Sequence, residues 1–231
     1  VKNIPEVNEL SVSPRKGLRI GAAVPCHRIY ADEGVKEQFA GLTDASMIIG
    51  GIQIQGRASL GGNLCNASPS ADSIPALIAY GAEAEVIGPD GKRKIAVEDF
   101  CTGPGSNALK PGEMLVAIRM PLPKNNSGGH YLRFIPRNEM DIAVAGVGSS
   151  VVLDASGQNF VSARIALASV APTPVLARDA GDSLAGKPVS ETTIQEASEQ
   201  AIAAATPISD MRGTIRQRKH LVGVLTRRTL N

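Results

Sequence analysis

The chain has 231 residues, 43% of them hydrophobic and 20% charged, enough to bury the core of one large domain or two small ones. Four Phe, three Tyr and no Trp argue against base-stacking nucleic-acid modules and aromatic carbohydrate platforms. A net charge of +2 implies no polyanionic partner on average, and 24 Gly with 15 Pro, lacking any period, indicate many tight turns rather than a fibrous or disordered chain.

In chain order, residues 18–24 alternate as a strand does and end at Pro25. Residues 32–42 carry Val35, Phe39 and Leu42 at helical spacing behind an acidic start, Asp32 and Glu33. Pro75 disfavours a helix running through it, so the next helix is expected to start near Ser73 or Ile74 and to end at Tyr80 before Gly81. Residues 83–87 and 92–97 read as strands joined by the turn Gly88-Pro89-Asp90-Gly91, and 114–120 as a strand stopped by Pro121-Leu122-Pro123.

The polar, glycine-containing run at 124–129 is the best linker in the chain. It divides a first domain, 1–123, from a second, 131–231, with 124–130 between them. Beyond it, 141–153 and 162–170 are apolar, β-leaning runs forming a hairpin around 154–158. Thr173-Pro174 fits an N-cap followed by proline at the first helical position, with Gly186 at that helix's end. Residues 190–205 place Ile194, Ala197, Ala201 and Ala204 on one helix face, and a last helix covers 215–228. The order of elements implies an α+β fold in two units, without an internal repeat.

Cys26, Cys65 and Cys101 are odd in number and widely spaced, and His27, His130 and His220 are scattered. This pattern argues against a disulfide framework and against a zinc or iron–sulfur site on this chain. No apolar run has the length of a membrane span, and the first residues lack the features of a signal peptide, so the protein reads as cytoplasmic. From Met211 onward six basic residues (Arg212, Arg216, Arg218, Lys219, Arg227, Arg228) occur without an acid. A solvated helix face or a subunit contact explains them more simply than nucleic acid does.

The densest run of unusual residues is 57–73. Its paired glycines, Gly61 and Gly62, let a backbone turn sharply and bring N–H groups close to an anion, and the Ser and Asn flanks add neutral donors. A plain turn and a diphosphate cradle both fit these residues. Asp72 likewise fits either a helix cap or a carboxylate that binds a hydroxyl. No Ser-His-Asp triad or carboxylate pair can be assembled from local spacing.

Residues 50–72 resemble the flavin-binding segment of the FAD subunit of molybdenum hydroxylases, the xanthine dehydrogenase and carbon monoxide dehydrogenase family. Three further segments match in order: 103–115, Tyr131-Leu132-Arg133 through Asp141-Ile142-Ala143, and 218–228. The resemblance implies a PCMH-type, vanillyl-alcohol oxidase-like FAD domain followed by a small α+β domain with an antiparallel sheet and three helices. It assigns the FAD diphosphate to Ser59, Leu60, Gly61, Gly62 and Asn63, and the diphosphate, ribityl or flavin side to Asn66, Ser68 and Asp72. It sets Leu115 against the isoalloxazine and Arg133 near the ring's polar edge. Ile49 stands where eukaryotic xanthine oxidoreductases place a Phe.

The implied partners are a molybdopterin-binding large subunit and a small subunit with two 2Fe-2S clusters, the flavin passing electrons to NAD, oxygen or a quinone. The family also carries an upstream Ala-Gly-Gly-Thr-Asp turn that has no counterpart here, so the resemblance implies an N-terminally truncated member. The alternatives are a flavin-free interaction module and a stand-alone flavin oxidase.

Overall fold

A computed structural model describes every residue except Lys2 and Glu139. Strands β1 (Leu10–Ser13) and β2 (Gly17–Gly21) open the chain, followed by five short helices: α1 (Cys26–Ala31), α2 (Glu33–Gln38), α3 (Ala40–Met47), α4 (Leu60–Asn66) and α5 (Ser73–Ala79). Next come β3 (Glu83–Gly88), β4 (Gly91–Ala96), β5 (Cys101–Gly103), β6 (Ser106–Asn107) and β7 (Met114–Met120). The second half holds β8 (Ser127–Phe134), β9 (Ala145–Leu153), β10 (Phe160–Ala168), β11 (Val175–Leu176), α6 (Arg178–Asp182), α7 (Glu191–Ala204) and α8 (Ile215–Leu230).

The strands form two antiparallel sheets, β1-β2-β7-β3-β4 and β11-β10-β9-β8, and β5 pairs with β6. The expected α+β class is therefore the one observed. Alternation sets the faces of the second sheet. Val147 and Ser149 of β9 point to α8, where Ser149 Oγ lies 2.7 Å from Thr229 Oγ1. Gly148 faces the other way, onto α5.

Three expectations change. The helix expected over 32–42 is two helices, because the backbone at Phe39 leaves the helical region (φ −132°, ψ 54°). Asp32 caps the first of them by accepting from Val35 N at 3.0 Å. The break lets the buried Phe39 ring meet Tyr80 edge-on, with centroids 5.3 Å apart.

The second half of the expected linker is strand. Ser127, Gly128 and Gly129 pair with Val152, Val151 and Ser150, so their backbone groups are satisfied in a ladder despite a loop-like composition. No helix starts at Pro174 either. Val175 and Leu176 pair with Leu167 and Ala166 along the edge of β10, and the helix begins only at Arg178.

Every residue of α5 is buried. The helix sits so close to the second sheet that a Cβ on Gly148 would lie 2.8 Å from the carbonyl carbon and oxygen of Pro75. Gly148→Ala is expected to lower the unfolding free energy by about 1–3 kcal/mol through overpacking. A urea titration reads this as a lower midpoint, and an unchanged midpoint would show that α5 retreats freely.

Candidate functional site

The run from Ser59 to Asn63 is a helix start rather than a turn. Ser59 is the N-cap of α4, its Oγ accepting from Gly62 N at 3.0 Å and its carbonyl accepting from Asn63 N. The Leu60 and Gly61 N–H groups, in the first turn, have no acceptor within the helix. A Cβ on Gly61 would lie 2.4 Å from the Ala22 carbonyl oxygen, so only glycine lets α4 press against the end of β2. Gly62 is exposed, and a Cβ there would meet only Ser59 Oγ, at 3.2 Å.

In front of this helix start lies a cleft of about 330 Å³ lined by Arg57, Ser59, Gly61, Gly62, Cys65 and Leu115 among others. Its volume is near the lower end for ligand pockets, about 300–1,000 Å³. Glu113 also borders it, but Arg93 grips that carboxylate through two 2.7 Å hydrogen bonds. The Arg93 guanidinium and the Lys110 N–H hold the Glu113 carboxyl down to about 2. The cleft is thus set for an anion: the glycine backbone of the helix start, a neutral hydroxyl and the exposed Arg57 line it, while its one carboxylate is already paired.

The other expected site residues divide sharply. Leu60 is fully buried and offers only its backbone, and Ile49 joins the core at 9% exposure. Asn63 Oδ1 accepts from Ser73 Oγ at 2.6 Å, tying α4 to the start of α5. Ser68 Oγ accepts from Ser70 N at 3.3 Å, and Asn66 is exposed at the end of α4.

Asp72 makes no cap bond, although it stands at the N-cap position of α5. Its carboxylate instead accepts from Arg133 Nη1 at 2.6 Å and from Tyr131 Oη at 2.9 Å, both on β8. Burial pushes the Asp72 carboxyl up to about 6, against the opposing pull of Arg133 and Tyr131. Burial likewise raises the Tyr131 hydroxyl well above its ordinary value. Arg133 also lines a separate cavity of about 410 Å³ with Tyr30, Met47, Ile48, Gly50 and Gly51. Leu115 and Arg133 therefore border different cavities.

The sequence reading missed Tyr131 as a partner of Asp72. The signal available was its spacing: Tyr131 and Arg133 are two apart on a strand and so share a face. It also missed Gln55, a buried residue that donates to the Met47 carbonyl at 2.7 Å and accepts from Tyr30 Oη at 3.0 Å, fixing the wall of the Arg133 cavity.

Residues 1–123 match the family described as the FAD binding domain in molybdopterin dehydrogenase, and residues 130–231 match the CO dehydrogenase flavoprotein C-terminal domain. The chain is 31% identical over 232 residues to a xanthine dehydrogenase FAD-binding subunit of Escherichia coli O157:H7, covering 100% of this chain and 79% of that protein. It is 35% identical over 212 residues to a carbon monoxide dehydrogenase medium chain of Afipia carboxidovorans, covering 91% of this chain and 72% of the other. Among solved structures, a carbon monoxide dehydrogenase from Hydrogenophaga pseudoflava superimposes with a TM-score of 0.94 at 28% identity, covering 100% of this chain and 79% of that one.

The folded pKa of Asp72 lies above its ordinary value of 3.8. The stability this raised pKa contributes is therefore fully present below about 3.8 and is lost as the pH rises through about 6. Asp72→Asn removes the titration. Wild-type stability relative to the variant is expected to fall by up to about 3 kcal/mol between about pH 4 and pH 7. Denaturant titrations across that range read the difference, and a pH-independent gap would show that the carboxyl stays ionised.

Proposed function

This chain belongs to the family of FAD-binding subunits of molybdenum hydroxylases, and from that premise we propose that it holds FAD at the start of α4 and passes electrons onward within a heteromeric complex. The observation that carries the reading is the cleft at Gly61 and Gly62. There the absence of a Cβ at Gly61 lets α4 press against the end of β2, and Gly61 and Gly62 line an open cleft with the aliphatic Leu115 beside it.

In this reading Ser59 orders the first turn, and the Gly61 amide, with the open backbone at Gly62, holds the diphosphate by hydrogen bonds and the helix dipole, Leu60 packing behind it. Asn63, Asn66 and Ser68 contact the diphosphate and ribityl chain from outside the lining of the cleft in this reading. Leu115 and Ile49 supply aliphatic contact to the isoalloxazine. Asp72 and Arg133 act as one unit: the buried carboxylate offsets the cation, which faces a cavity separate from the one beside Leu115.

Bound FAD supplies the redox chemistry, accepting electrons and delivering them to an acceptor. The chain's own task is to orient the cofactor and set the charge around it. The partners are a molybdopterin-binding large subunit and an iron–sulfur small subunit, in keeping with the relatives named above. Among the described residues no helix is long and apolar enough to cross a membrane.

Gly62→Asp tests the cradle. Gly62 is in the first turn of α4, where an aspartate is compatible with the helix dipole, so the fold is expected to persist while the carboxylate repels the diphosphate. The expected result is a normal circular dichroism spectrum with the visible flavin absorption bands lost. Unchanged flavin content would place the diphosphate elsewhere.

A further inference from the structure

The helical face of the second unit carries charge that the chain itself does not use. Helices α7 and α8 lie side by side and run antiparallel: Arg227 Nη1 donates to Gln195 Oε1 at 3.1 Å, and a Cβ on Gly223 would lie 2.7 Å from Ile202 Cδ1. Their charges are opposite. α7 holds Glu191, Glu196 and Glu199 without a Lys or Arg, and α8 holds Arg216, Arg218, Lys219, Arg227 and Arg228 without an Asp or Glu.

Neighbouring helices of opposite charge can pair across their seam, yet among the described residues no ion pair joins these two. Arg218 is buried and turns inward, its Nη2 donating to Asp210 Oδ1 at 2.7 Å, so it is not part of the solvated basic face that its sequence context suggested. Arg227 and Glu199 are both engaged by the neutral Gln195, and Glu196 binds Lys187, outside both helices, at 2.7 Å. Glu191, Arg216, Lys219 and Arg228 have no ionic partner.

The unused charges face outward. Arg216, His220, Val224 and Arg228 follow one another at helical spacing and so form a single row along α8, with both arginines and His220 exposed. Glu196 and Glu199 are exposed on α7 beside it. An anionic strip next to a cationic strip fits a surface bearing the same two strips in the opposite order. A wholly acidic partner would be repelled by α7 and a wholly basic one by α8. A two-fold rotation of the face generates the required order from the face itself, which makes it self-complementary.

We propose that a second copy of this chain docks on this face about a two-fold axis, α7 of each copy lying across α8 of the other so that Glu196 and Glu199 meet the partner's basic row. The face has few apolar residues, so the pairing is driven by charge and weakens as salt screens it. It does not depend on bound flavin.

The test uses the complex as purified, with its other subunits. Sedimentation at low salt is expected to show particles holding two copies of this chain, which separate as sodium chloride is raised. Arg216→Glu with Arg228→Glu sets acid against α7, and Glu196→Lys with Glu199→Lys sets base against α8. Each double change is expected to weaken the pairing by about tenfold or more. Mixing the two variants is expected to restore it, because every contact in the mixed pair again joins acid to base.

A benzophenone cross-linker in place of His220, in complex assembled from unlabelled and heavy-isotope-labelled copies, is expected to join a peptide of α7 from the other copy. One copy per particle at every concentration, a particle mass that ignores both charge reversals, a mixture that stays unpaired, or a cross-link confined to another subunit or to its own chain would each overturn the two-fold face.

Discussion

Helix α5 has no face open to solvent, and the placement of both units follows from that. Its residues contribute to the first hydrophobic core, yet it lies against β9 and β10 of the second sheet. Such contact is possible only because β9 carries glycine at position 148, beneath Pro75. The buried helix also fixes Asp72 at its start, and Asp72 in turn anchors Tyr131 and Arg133 across the junction. A buried carboxylate is costly without partners, so this pair holds the two units in one register.

The candidate site depends on the backbone more than on side chains. α4 meets β2 at Gly61 without a Cβ between them, and Gly61 and Gly62 are left to line the cleft. Of the seven aromatic residues, only Tyr30 borders either this cleft or the Arg133 cavity, while Phe39, Phe100, Phe160, Tyr80 and Tyr131 are consumed by the cores. A ligand held here is gripped by hydrogen bonds, a helix dipole and aliphatic contact.

Elements with strong periodicity or punctuation were legible before any coordinates. The β3–β4 hairpin around Pro89-Asp90, the strand Met114–Met120 and the helix capped by Ser190 all lie where their local residues put them. Failures came where a distant partner outweighed local preference. Tyr80 and the core drew Phe39 out of its helix, β9 recruited the glycines at 128–129 into a strand, and the open edge of β10 took Val175 and Leu176 from a proline-led helix.

The sequence by itself determined the α+β class, the family and the position of the glycine pair, because periodicity, turn residues and ordered motifs are properties of neighbouring residues. Only the tertiary structure decided that Gly61 and Gly62 open a helix, that Asp72 spends its charge on Arg133 rather than on a cap, and that Arg218 is buried with an unmet donor. Each of these depends on residues brought together from far along the chain. Burial and hydrogen-bond satisfaction are set by that assembly, and local spacing carries no record of it.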